Sequence, residues 1–286
     1  MNGIINVYKE KGYTSHDVVA VLRKIAGQKK IGHTGTLDPD ATGVLPVCLG
    51  RATKLCDLLT DRDKTYEAVL LLGKTTDTQD ISGAILKEQP TDHLNEAEVT
   101  KVIESFKGTY DQIPPMYSAL KVNGKKLYEL AREGKTVERK SRKVTIYQIH
   151  IKEIQLPRVR MEVTCSKGTY IRTLLEDIAA AMGQKGTMSA LRRTTAGVYT
   201  EADAHTLEEI QAAKDAGPEA LQALMLPVES VFESLPLLVA EPRVEQHLYN
   251  GCPTSRYPAA DGRYRVRNAE GQFLGLANIT GGVLKV

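Results

Sequence analysis

Residues 32–46, Gly32-His33-Thr34-Gly35-Thr36-Leu37-Asp38-Pro39-Asp40-Ala41-Thr42-Gly43-Val44-Leu45-Pro46, concentrate reactive side chains in one short stretch. Asp38 and Asp40 supply carboxylates, His33 an imidazole, and Thr34, Thr36 and Thr42 hydroxyls. Gly32, Gly35, Gly43, Pro39 and Pro46 shape the backbone, so these groups can be held in one arrangement. A carboxylate held this way can serve as a nucleophile or a general base. Two carboxylates and an imidazole can instead ligate a metal. A purely local use also exists, in which Asp38 or Asp40 bonds its own backbone in a turn. That use suits an isolated Asp-Pro pair better than this whole string.

A second signal is charge. The 286 residues carry a formal net charge of only +3. Segment 121–143 alone carries nine Lys/Arg against three acids, a net +6, and the rest of the chain is at −3. A basic patch on a near-neutral protein is a footprint for an anionic partner. Lys125, Lys126 and Arg132 lie within it, between Gly124 and Gly134. Lys29 and Lys30 precede the reactive string and either meet phosphates or form plain solvated surface. The six histidines do not cluster and the four cysteines form no CxxC pair, which argues against zinc. The cysteines read as buried free thiols of a reducing compartment. The N-terminus has no signal-peptide pattern, and no apolar run approaches the roughly 18 residues of a membrane span.

The reactive string closely resembles the catalytic motif of the pseudouridine synthases that act on the T-loop of tRNA, the bacterial TruB family. Further blocks match in order. These are Lys9-Glu10-Lys11-Gly12-Tyr13-Thr14-Ser15-His16-Asp17, Lys64-Thr65-Tyr66, and Ile113-Pro114-Pro115-Met116-Tyr117-Ser118-Ala119-Leu120-Lys121. Cys165-Ser166-Lys167-Gly168-Thr169-Tyr170-Ile171-Arg172-Thr173 and Leu191-Arg192-Arg193 complete the set. One departure is Glu10, where the family commonly has Pro.

The resemblance implies that Asp38 is the catalytic aspartate, acting as nucleophile at C1′ or as base at C2′ of a uridine. It implies that Arg172 pairs with this aspartate, and that Tyr66 lies against the target base and helps remove the C5 proton. Tyr170 and Leu191 match base-pocket residues, and His33 the imidazole that fills the space a flipped base leaves. Taken singly, Tyr66, Tyr170 and Leu191 would read as structural. The reaction is an isomerisation, so no cofactor or metal is expected. Residues 113–143 correspond to a thumb-like flap beside the substrate. The tail, from Val244-Glu245-Gln246-His247-Leu248-Tyr249-Asn250-Gly251 to Phe273-Leu274-Gly275-Leu276-Ala277, resembles a PUA domain, a small RNA-binding β-barrel. Its alternative is a structural cap. The implied partner is tRNA, met at the T-loop and T-stem, with the acceptor stem reached through the tail. A cytoplasmic monomer is expected.

The elements that must position these residues follow from periodicity. Residues 3–8, 65–72, 84–88, 144–152 and 158–165 read as strands. Thr14 with Asp17, Asn95 with Glu98, and Thr206 with Glu209 read as capped helix starts, with Gly27 and Gly108 as stops. Ile171 to Met182 reads as a helix. Residues 31–50 show no clean period and read as a long functional loop, and 113–143 as a loop with a short helix near 125–133. Pro227, Pro236 and Pro242 mark a junction. The expected fold is α/β: a large mixed, mostly antiparallel sheet flanked by helices over 1–230, then a small β-barrel over 237–286. Two rival functions remain: an RNA-binding chaperone without essential catalysis, and a metal-dependent RNA hydrolase using His33, Asp38 and Asp40.

Overall fold

The computed structural model describes residues 1–285, which form two compact units. The first comprises Met1 and Ile5–Leu224; the second comprises Asn2–Ile4 and the chain from Met225 onward.

The first unit is built on a nine-stranded sheet. Its main path runs Gly3–Lys9, Thr42–Leu49, Gly186–Ala196, Lys64–Leu72, Arg158–Cys165, Arg142–Gln155 and Gly108–Gln112. Ile31–His33 pairs on the Thr42–Leu49 strand, and Tyr199–Thr200 on the Gly186–Ala196 strand. The pairing of Gly186–Ala196 with Thr42–Leu49 is parallel, and its pairing with Lys64–Leu72 is antiparallel. The sheet is therefore mixed and mostly antiparallel, as expected. On Lys64–Leu72, burial alternates strictly: Lys64, Tyr66, Ala68, Leu70 and Leu72 face inward. This is the period of two that one packed sheet face imposes.

Helix Ser15–Ala26 begins in the expected capping box: Asp17 N–H donates to Thr14 Oγ1 at 3.0 Å, and Thr14 N–H to the Asp17 carboxylate at 2.8 Å. Gly27, at φ 61°, ends it in the left-handed region that favours glycine. Helix Ile171–Ala181 buries Leu174, Leu175 and Ile178 against the sheet unit. Helix Glu96–Ser105 departs from expectation. Asn95 caps Ala97 and Glu98 N–H, but Asn95 N–H makes no return bond to the Glu98 carboxylate among the described residues, so no box closes. Phe106 is its C-cap, and Gly108 opens the next strand instead of stopping the helix.

Two inner strands were not expected. Thr42–Leu49 occupies the stretch read as irregular, and is almost wholly buried. Its buried run hides the alternation, and Pro46 argues against a strand. Pro46 is accommodated because the paired Ile31–His33 strand stops opposite Val47, leaving Thr34 N–H to donate to the Pro46 carbonyl at 3.1 Å. Gly186–Ala196 is broken by register shifts at Met188/Ala190 and Arg193/Thr195, which erase its period. In the basic segment the helix is Leu127–Arg132. It is preceded by a hairpin, Lys121–Val122 with Lys125–Lys126. Asn123 and Gly124, at φ 51° and 83°, form its turn. An Asn-Gly pair is the usual sequence for that geometry.

The second unit contains a four-stranded sheet in the open order Leu237–Val239, Gly262–Arg267, Phe273–Thr280, Val283–Lys285. Helix Pro242–Tyr249 supplies Val244 and Leu248 to a core shared with Leu238, Val266, Ile279 and Leu284. Buried Glu229 holds Arg265 and Arg267, each at 2.8 Å. All four cysteines are free; Cys48 and Cys165 are buried as expected, whereas Cys56 is half-buried and Cys252 exposed.

Candidate active site

Asp38 sits between two anchored neighbours. Before it, Leu37 N–H donates to buried Ser15 Oγ at 2.9 Å, and Ser15 Oγ donates back to the Leu37 carbonyl at 3.3 Å. After it, the Pro39 carbonyl accepts from Gly12 N–H at 2.9 Å and from Lys9 Nζ at 3.1 Å. Lys9 is 0% exposed and also donates to the Glu10 and Tyr13 carbonyls at 3.0 and 2.7 Å. Burial lowers its pKa to about 8. Glu10 is thus used through its backbone carbonyl, a group that Pro also has. The departure from the family pattern leaves this contact available.

Arg172, in the first turn of its helix, grips Asp38 with two donors: Nε to Oδ2 at 2.9 Å and Nη2 to Oδ1 at 3.1 Å. The same guanidinium donates to the Thr78 and Tyr117 carbonyls, both at 2.8 Å. Its side chain is 6% exposed, that of Asp38 32%. One cation therefore fixes the carboxylate and ties it to the 77–83 and 113–120 segments. Burial raises the Asp38 pKa above the ordinary carboxylate value; Arg172 opposes the rise, and Asp80 adds to it. The two-pronged pair favours the ionised form.

Asp38 opens on a cavity of about 500 Å³, lined also by Asp40, Glu67, Asp80, Met188 and Leu191. Leu191 thus joins Asp38 in the cavity wall. Tyr66, Tyr170, Arg172 and His33 do not line that cavity; Arg172 alone of the four is bonded to the aspartate among the described residues. Tyr66 and Tyr170 are nevertheless near enough that the Asp38 charge raises both phenols, after burial as the larger cause. Tyr66 is buried, opposite Arg193 on one neighbouring strand and Val163 on the other. The positive charge of Arg193 lowers the pKa of its phenol, against the larger raising effect of burial. Tyr170 caps the Arg172 helix. Gln112, fully buried, accepts from Tyr170 N–H at 2.8 Å and donates to the Tyr170 carbonyl at 3.1 Å.

His33 ends its strand edge-on to His16, with ring centroids 5.3 Å apart. Burial lowers its pKa to about 4, with His16 and Arg193 acting in the same direction. The ring is neutral at ordinary pH, which suits stacking. In the basic segment, Lys125 pairs with Glu133 at 3.7 Å. Lys126 and Arg132 each lie 5.4 Å from the Tyr128 ring. Lys29 and Lys30 are exposed. The residues of the hydrolase rival have separate partners: Asp38 has Arg172, His33 has His16, and Asp40 has Lys11 at 3.8 Å. Among the described residues no three His, Cys, Asp or Glu side chains converge as a metal site. Lys9, Ser15, Gln112 and Arg193 were not assigned roles from sequence. Ser15 bonds the main chain of Leu37, Gln112 that of Tyr170 and Arg193 that of Gly35 and Val44, and Lys9 bonds main-chain carbonyls alone.

A carboxylate held ionised by a buried guanidinium beside a cavity suits an enzyme that acts through a nucleophile or general base, and comparison with known proteins gives the class. Residues 23–171 match the N-terminal domain of the TruB family of pseudouridylate synthases, and residues 172–233 the tRNA pseudouridylate synthase B C-terminal domain. The tRNA pseudouridine synthase B of Clostridium perfringens is 44% identical over 283 residues, covering 96% of this chain and 94% of that one. Its counterpart in Lachnoclostridium phytofermentans is 54% identical over 259 residues, covering 88% and 83%. A crystal structure of a Cbf5–Nop10–Gar1 complex superposes with a TM-score of 0.73 at 27% identity, covering 97% of this chain and 78% of that one. The chain belongs to the TruB family and is a pseudouridylate synthase.

Proposed function

We propose that the uridine converted by this enzyme is the T-loop uridine of tRNA, position 55. The observation that carries the reading is the Asp38 carboxylate, held by Arg172 at 2.9 and 3.1 Å beside a cavity. The relatives named above are tRNA pseudouridine synthases, which supports tRNA as the substrate. In the reaction the N1–C1′ bond breaks, the uracil turns, and C5 joins C1′. Asp38 acts as nucleophile at C1′ or as base at C2′. Arg172 keeps it ionised where burial would favour its acid form. Tyr66 stands at the base and takes part in removing the C5 proton. Tyr170 and Leu191 bound the base, and neutral His33 stacks in the space it leaves. Every atom of the uridine is retained apart from exchanged protons, so the chemistry requires no redox partner, donor or metal.

The basic segment 113–143 closes over the RNA, with Lys125, Lys126 and Arg132 meeting phosphates. Residues 1–230 form the catalytic part. Residues 237–286 form a PUA-like module that holds tRNA toward its acceptor stem, and the separate core of that unit supports the division. The enzyme works as a monomer in the cytoplasm; none of its described helices is long and apolar enough to cross a membrane.

The test uses tRNA carrying uridine tritiated at C5. Release of tritium from wild-type tRNA but not from a transcript with cytidine at position 55, without chain cleavage, is the expected result. Undiminished release from the cytidine-55 transcript would place the target elsewhere.

A further inference from the structure

Arg193 heads the fully buried side chains by size and is 1% exposed. No carboxylate forms an ion pair with it among the described residues. Keeping an uncompensated cation out of water is costly, so its bonding partners matter. Its Nε donates to the Val44 carbonyl at 2.7 Å and its Nη2 to the Gly35 carbonyl at 3.3 Å. Both carbonyls belong to the string that contains Asp38. Tyr66 faces Arg193 directly across two paired strands, and the guanidinium charge acts on its phenol. The strand and the string are in close contact here. A Cβ on Gly43 would lie 2.2 Å from the Arg193 carbonyl oxygen, so only glycine fits. The same positive charge acts on His33, Lys9 and Lys64. The two candidate catalytic groups, Asp38 and Tyr66, thus have separate buried guanidinium partners, Arg172 and Arg193.

We propose that Arg193 is the positioning residue for Tyr66, holding the phenol oxygen and supporting negative charge on it while that oxygen takes the C5 proton. This rests on the reading of Tyr66 as the group at the base. After C5 has joined C1′, C5 still carries its hydrogen and N1 is doubly bonded to C6. Tyr66 rests as a phenol, its pKa raised by burial, and gives its O–H proton to solvent as this step begins, leaving a phenolate beside the Arg193 guanidinium. The C5–H bond breaks and the proton passes to the phenolate. The released pair forms the C5–C6 double bond, and the pair of the C6–N1 double bond moves to N1, which takes a proton from solvent. Atoms and charge balance with no further reactant. Arg193 touches neither substrate nor proton; it acts through Tyr66.

The test measures single-turnover rates and KM for full-length protein with Arg193→Met, Arg193→Lys or Tyr66→Phe. Each Arg193 variant is also made with 3,5-difluorotyrosine, whose phenol is more acidic, at position 66. Arg193→Met is expected to lower the rate about a hundredfold with little change in KM, in the range of a lost acid–base contribution. Arg193→Lys, which keeps a charge, is expected to lose less. Difluorotyrosine is expected to restore about tenfold to Arg193→Met, because an acidic phenol replaces the missing cation. Equal rates for Tyr66 and difluorotyrosine in that variant would overturn the proposal and leave Arg193 as a loop brace. If thermal melting shows Arg193→Met to be unfolded, the same comparison in Arg193→Lys decides. Full activity in Tyr66→Phe would instead remove the reading of Tyr66 itself, so the two failures are distinguishable.

Discussion

Asp38 is subject to two opposing influences: burial favours its acid form, and the Arg172 fork favours the carboxylate. Asp38→Asn preserves shape but cannot act as nucleophile or base. It is expected to lose about 10⁴-fold or more in turnover, with tRNA Kd nearly unchanged. Retention of a tenth of wild-type activity in a single-turnover assay would exclude Asp38 as the key group. The sign of the pH dependence follows from the same balance. The Asp38 pKa is raised, so activity falls with decreasing pH at a value above the ordinary carboxylate range. Arg172→Met removes the opposing cause, so the remaining activity is expected to show this acid limb at higher pH. A limb that moves down or stays in place contradicts the pairing. His33 gives a stability test. Its pKa falls from 6.5 to about 4 on folding, so the unfolded chain binds the proton more readily. It therefore subtracts stability progressively as pH drops from about 6.5 to about 4. Replacing it with Asn is expected to flatten the fall of urea-unfolding stability across that window. An unchanged slope would show that burial does not hold the ring neutral. At this scale the Asp38–Arg172 pairing was legible through the motif, whereas Tyr66 reads as structural when taken singly and was marked only by the family resemblance. Ser15 and Gln112 were not marked, because their part is to satisfy backbone groups of Leu37 and Tyr170. Such a role depends on three-dimensional proximity, not on residue type.

Among the elements, helices were more legible than inner strands, for a physical reason. Thr14 and Thr206 cap through bonds to residues three positions on, so the signal lies within one short window. The Thr42–Leu49 and Gly186–Ala196 strands depend on partners far away in sequence, and burial or bulges blur their alternation. These strands carry or adjoin the site, so its supporting frame was the least visible part of the fold. The hairpin Lys121–Lys126 was missed despite the local Asn123-Gly124 signal. Its stability bears on the proposed flap. Each of its two strands has two residues, and its basic side chains lean on Tyr128 and Glu133 instead of a deep core. Leu127 is its buried anchor. Trypsin is therefore expected to cut 121–143 first in the free protein, with bound tRNA protecting it. Substituting Lys125, Lys126 and Arg132 together with Ala is expected to weaken binding and reduce the slope of log K against log salt. Loss of up to about three phosphate contacts would reduce it by up to roughly 2.7 for duplex RNA treated like B-DNA. A protease-resistant segment and an unchanged slope would leave the charge run as solvated surface.

For the whole molecule, the two units divide the expected work. Asp38, Tyr66, Arg172 and Arg193 all lie in Ile5–Leu224, whereas the chain from Met225 has its own sheet and apolar core. The boundary at Leu224 lies close to the junction marked by Pro227 and Pro236. Where the chain is cut matters. A cut at residue 243 would strand Leu237–Val239 without its partner and leave buried Glu229 without Arg265 and Arg267. An uncompensated buried carboxylate is destabilising, so poor behaviour of such a protein would say nothing about RNA binding. Ending the chain at Leu224 removes the carboxylate and both cations together. If the second unit holds RNA, this 1–224 protein is expected to bind tRNA at least tenfold more weakly. Its single-turnover rate at saturating enzyme is expected to stay within a few-fold of the full chain, because the residues assigned to chemistry remain. Kd from filter binding and the rate of C5 tritium release measure the two effects separately, once circular dichroism has shown the protein to be folded. A folded 1–224 protein with unchanged Kd and a collapsed rate would reverse the assignment. The second unit would then support the catalytic frame and contribute nothing to holding the RNA.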